Sequence, residues 1–158
     1  MLLGILNLIY NLRNNRRTTF INSVTAERVK WINSLRANIS DFAGLVFNFL
    51  VTYPEDQNAL DPDDEKMFFE MFKQTDRLRM LIKLQLNPKG TLDVQIENIV
   101  DTLYLKNKGL GRERGLALLK ELIQKSQKLL KEEWDKVKEE AKRGDLNDSW
   151  RLKMRKFF

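Results

Sequence analysis

The side chains of this chain that could do chemistry are carboxylates, lysines and arginines, because it contains neither histidine nor cysteine. That removes the commonest general base and metal ligand, and with them Ser-His and Cys-His nucleophile pairs, thiolate chemistry, disulfides and the usual zinc sites. The absence of cysteine also fits a reducing cytoplasm. Two clusters invite a chemical reading and fail it. Asp61-Pro62-Asp63-Asp64-Glu65 concentrates carboxylates as a cation site would, but it lacks the calcium-loop spacing and its glycine. It reads instead as a helix N-cap, a proline at the first helical position and carboxylates over the positive end of the dipole. Gly109, Gly111 and Gly115 are spaced G-x-G-x-x-x-G with no strand before them, which makes a loop and not a phosphate cradle. No paired carboxylates converge from core-facing positions, so no catalytic residue, metal or cofactor is expected.

A third cluster points to a surface. Met1 to Leu12 is nearly continuous apolar sequence, with Leu2, Leu3, Ile5, Leu6 and Ile9 at its centre, and Arg13, Arg16 and Arg17 follow at once. Twelve helical residues reach about 18 Å, against roughly 30 Å of bilayer hydrocarbon, so the segment is too short to span. Its charges follow the apolar run and no small-residue cleavage site appears, unlike a signal peptide. An apolar end beside an arginine cluster is the arrangement of a shallow membrane anchor. The far end of the chain is similar: Leu146, Trp150, Met154 and Phe158 are spaced by four, Phe157 joins them, and Arg151, Lys153, Arg155 and Lys156 surround them. With a formal charge of +6, the expected partner is an anionic membrane surface. A protein partner or a second copy could take the N-terminal apolar segment instead, and the tail could bind a partner groove or its own bundle. Nucleic acid fits less well, because the basic residues sit beside bulky aliphatics instead of exposed aromatics.

The elements that must position these segments are all helical. The chain of 158 residues, 42% apolar and 32% charged, is one domain's worth. From Thr18 to Val51 apolar residues recur at helical steps (Ile21, Val24, Trp31, Ile32, Leu35, Ile39, Phe42, Leu45, Val46, Phe49, Leu50), a spine about 50 Å long that other helices must cover. Tyr53-Pro54 stops it. A second helix is predicted from Pro62 to Leu86 with Met67, Phe68, Met71, Phe72, Leu78, Leu81, Ile82 and Leu84 inward. Asn87-Pro-Lys-Gly90 closes it, and a third runs from Thr91 to Leu105. The last spans Arg112 to Arg143, with Leu116, Leu119, Leu122, Ile123, Ser126, Leu129, Leu130, Trp134, Val137 and Ala141 inward and a mixed Lys/Glu face outward. The predicted fold is all-α, a four-helix up-down antiparallel bundle with a long first helix and amphipathic terminal segments. Its divisions are an apolar anchor at 1–17, the bundle at 18–143 and a basic amphipathic segment at 144–158. An even number of antiparallel helices returns the chain to the pole it left, so both terminal segments emerge together as two weak anchors on one face.

Three stretches together carry a resemblance: Arg28-x-x-Trp31-Ile32-x-x-Leu35-Arg36, Leu84-x-Leu86-Asn87-Pro88, and Ser126-Gln127-x-x-Leu130-Lys131-x-Glu133-Trp134-x-x-Val137-Lys138. Over about residues 5–142 the chain resembles a widespread group of small, uncharacterised bacterial proteins. In that group a transmembrane helix precedes a cytosolic all-helical domain with no assigned activity. The resemblance implies a membrane-associated, cytosol-facing helical domain of bacterial or phage origin, and it implies no reaction. Two features depart from the group: the apolar run here is too short to span, and the tail from Asp145 lies outside the resemblance.

Arg28 yields a packing prediction. It falls in the apolar stripe, four residues from Val24 and from Ile32, so a carboxylate should meet it. Antiparallel packing brings Glu132, Glu133 and Asp135 of the last helix into range, with Trp134 near Trp31 or Ile32. Arg36 should be the more exposed arginine.

Overall fold

The computed structural model describes residues 2–53, 61–105 and 110–144. Four helices account for them: α1 (Leu2–Thr52), α2 (Pro62–Gln85), α3 (Thr91–Leu105) and α4 (Arg112–Gly144). No strand occurs among the described residues, and the helices pack on one another as an all-α bundle. α1 is continuous through Asn14-Asn15, so the apolar start and the spine are one helix of 51 residues, about 76 Å long.

The helix ends follow from local chemistry. Asp61 caps α2, its carboxylate accepting from the backbone amides of Asp63 at 2.9 Å and Asp64 at 2.8 Å, with Pro62 at the first helical position. Beyond Leu86, Asp93 reaches back to accept from the Asn87 amide at 2.9 Å. The turn needs glycine at 90, since a Cβ there would overlap the Asp93 carboxylate. Gly111, at φ 72°, supplies the left-handed residue before α4. Arg112 then donates from Nε to the Leu50 carbonyl at 2.9 Å and from Nη2 to that of Val51 at 3.2 Å, satisfying acceptors that the last turn of α1 leaves open. Gly115 lets α4 lie against Leu50, whose methyl carbon would be 2.6 Å from a Cβ at that position.

The chain divides into two compact units, one of Asn33–Lys131, the other of Met1–Ile32 with the chain from Glu132 onward. The first contains parts of all four helices. Leu35, Ile39, Phe42, Val46, Phe49 and Leu50 of α1 are buried there, as are Phe68 and Ile82 of α2, Ile96, Ile99, Val100 and Leu103 of α3, and Leu119, Leu122, Leu129 and Leu130 of α4. Phe49, Tyr53 and Phe68 form an aromatic cluster, with Phe49 stacked on Tyr53 at 4.6 Å and both edge-on to Phe68. The second unit, as far as it is described, has only α1 and α4 segments, and Ile32 and Val137 are its buried apolar residues.

Several residues predicted inward are not buried. Met67 and Leu84 of α2 are 46% and 80% exposed, and Ile123 of α4 is 45% exposed. Met67 and Ile123 are each one residue from a buried neighbour, about 100° around the helix, and Leu84 is two from Ile82, about 200° around, so a stripe drawn broadly overshoots the face that neighbours cover. Val24, Trp134 and Ala141 are also exposed. They belong to the two-helix unit, where a stripe wide enough for a bundle has one neighbour to bury it.

Candidate functional site

The apolar start of α1 is the first candidate. Leu2, Leu3, Ile5, Leu6, Ile9, Arg13, Arg16 and Arg17 all lie in its helical backbone. Of the side chains described between residues 2 and 24, every one is exposed: Gly4, Tyr10, Asn11, Asn15, Thr19, Asn22, Ser23 and Val24. Tyr10, at 55% exposure, is the largest apolar surface among them. The other half of the predicted anchor, Trp150, Arg151, Lys153, Arg155, Lys156, Phe157 and Phe158, lies outside the described residues.

Behind this segment sits the Arg28 cluster. Its guanidinium is hydrogen bonded through Nη1 to Glu140, and Nε lies 4.0 Å from Glu133. Glu133 is among the three partners predicted, but Glu140, seven residues on, makes the closer bond. The reason is helical: residues seven apart share a face, so both carboxylates flank one guanidinium. The arginine side chain is 30% exposed, so it is half-buried and not sealed in the core. Thr25 Oγ1 and Glu140 Oε2 are buried without a hydrogen-bond partner in the same pair of helices. Trp31 is half-buried, whereas Trp134 is 42% exposed. Arg36 is exposed, as predicted, and donates to Asn33 Oδ1 at 3.0 Å.

The other charged constellation, between α2 and α3, was not singled out from the sequence. Arg79 donates from Nη1 to Asp101 at 2.9 Å and pairs with Asp76 at 2.8 Å, while Lys83 binds Asp101 at 2.8 Å and Glu97 at 3.1 Å. The Arg79 guanidinium also covers the Tyr104 ring at 4.5 Å, and Phe72 stacks on that ring at 4.6 Å. Burial works against charge at Asp101, but hydrogen bonds from Lys83 and Arg79 outweigh it and hold the carboxyl below its ordinary pKa. Burial likewise opposes the Arg79 charge, and hydrogen bonds from it to Asp101 and Asp76 raise its pKa nonetheless. Lys83 is raised chiefly by its hydrogen bonds to Asp101 and Glu97. Burial, then the nearby Asp76 charge, pushes the Tyr104 phenol up. With every charge answered, this is a clamp joining two helices. The only sequence signal was the spacing of Arg79 and Lys83, and of Glu97 and Asp101, at four residues on adjoining helices.

Among the described residues no group of acidic side chains is placed to hold a metal ion, and no helix is long and apolar enough to cross a membrane. No protein-family model, no curated protein and no solved structure matches the chain.

Proposed function

We propose that this chain is a non-enzymatic helical interaction or scaffold protein held at the cytoplasmic face of an anionic membrane. The start of α1 is the principal anchor and the basic, apolar tail the second. One observation carries the reading. Arg28 lies between Glu133 and Glu140, so in this antiparallel pair Gly144, the last described residue of α4, comes level with about residue 20 of α1. The first 18 or so residues of α1, roughly 28 Å, extend past every described residue of α4, and all their described side chains are exposed. An apolar helix end with arginines at its base then has a membrane interface as its natural cover. The sequence after Gly144 is a second basic, apolar segment, and paired weak anchors bind more tightly than either alone.

Vesicle flotation of the full chain tests this. Wild type should float with vesicles containing phosphatidylglycerol and less with pure phosphatidylcholine, and added salt should weaken binding. Leu3→Lys with Leu6→Lys should lower the partition coefficient by about tenfold or more, given the apolar area withdrawn from lipid. Undiminished binding of that double variant, or no binding by wild type, would refute the reading. Binding to DNA or RNA with a steep salt dependence and none to vesicles would favour a nucleic-acid partner instead.

A further inference from the structure

α2 presents large apolar side chains on the side turned away from the core. Phe69 is 60% exposed, Met80 46% and Leu84 80%. Its buried residues, Phe68, Thr75 and Ile82, recur every seven and define the inward face. At about 100° per residue, Phe69, Lys73, Met80 and Leu84 share an arc of roughly 60° on the opposite side, with Lys66 and Arg77 beside them. The stripe is about 22 Å long.

Its charge is one-sided. Lys73 pairs with Glu70 at 3.0 Å and places its Nζ 5.5 Å from the Phe69 ring centre. Asp76 pairs with Arg79 at 2.8 Å. The two carboxylates nearest the stripe are therefore answered within α2, whereas Lys66 and Arg77 have no ion pair among the described residues. The acidic first turn, Asp63 to Glu65, precedes the stripe and sits over the positive end of the helix. Bulky apolar groups beside long-stemmed cations that make no ion pair among the described residues suit a lipid interface. The stems lie along the apolar layer while the charged heads reach phosphate.

We infer that the outward stripe of α2 is a second lipid-facing surface, with Phe69, Met80 and Leu84 entering the interface and Lys66 and Arg77 meeting anionic headgroups. It rests on the membrane reading above and adds a contact that no terminal segment supplies. Because these side chains are exposed, replacing them leaves the core intact.

Flotation of the full chain on phosphatidylglycerol and phosphatidylcholine vesicles tests it with two variants. Phe69→Glu with Leu84→Glu should reduce partitioning about tenfold. Lys66→Gln with Arg77→Gln should reduce it severalfold on anionic vesicles and little on neutral ones. Both should keep the wild-type circular dichroism and melting temperature. If Leu3→Lys with Leu6→Lys weakens flotation while both α2 variants float like wild type, the α2 inference falls and the anchor reading stands. If wild type does not float, both fall. If the α2 variants dissolve a concentration-dependent dimer in sedimentation without altering flotation, the stripe belongs to a second copy and the inference is overturned.

Discussion

The two units differ in how many neighbours each helix has. In Asn33–Lys131 four helices contribute, and Leu35, Phe42, Ile82, Ile96, Val100 and Leu122 reach at most 1% exposure. In the other unit the described residues supply two helices, Val24 and Trp134 remain about 40% exposed, and a half-buried Arg28 clamp takes the place of a core. The lesson is that α1 and α4 are single helices by hydrogen bonding but two materials by packing. Helical stability in water comes mostly from burying a face, so the ends of α1 and α4 should open at lower cost than their bundle portions.

Three substitutions probe that contrast, beginning with the one of largest effect. Phe42→Ala removes a fully buried ring from the four-helix unit and should cost about 3–5 kcal/mol, read as a lowered denaturant midpoint. A cost below about 1 kcal/mol would mean that this core does not carry the stability.

Asp101→Asn should cost about 1–3 kcal/mol by leaving Arg79 and Lys83 without their shared carboxylate between α2 and α3. Because the folded-state pKa of Asp101 is depressed, its contribution is complete above the unfolded carboxylate value and disappears as pH falls through the folded one. Lys83 is raised, so its share is complete below the ordinary lysine value and disappears as pH climbs through the folded one. Wild type should therefore lose stability on both sides of a broad neutral plateau, and Asp101→Asn should flatten the acid limb. An unchanged acid limb in equilibrium unfolding would count against the clamp.

Arg28→Ala should have the smallest global effect, about 1–2 kcal/mol. The pair is only half-buried, and solvent screening discounts the cost of breaking a sealed one. Its signature should be local. Amide exchange should accelerate in residues 22–32 and 133–141 and stay at wild-type rates through residues 35–50. Uniform acceleration across α1 would erase the distinction between the units.

Much of this protein was written in local order along the chain. The breaks at Tyr53-Pro54, Asp61-Pro62 and Asn87-Pro-Lys-Gly90, the Asp61 cap and the apolar stripes at helical steps needed only helix periodicity and capping chemistry, which act within a few residues. The partner class of Arg28 was legible too, because a charge set in an apolar stripe requires an opposite charge nearby. Tertiary structure alone decided that Glu140 bonds Arg28 while Glu133 stands off, that Asp101 is shared by two cations, and that Leu84 and Trp134 face outward. Periodicity specifies which residues share a face. How much of that face is covered, and which of two carboxylates two turns apart reaches a guanidinium, depends on the number, rotation and axial register of neighbouring helices, which arise only when the helices pack.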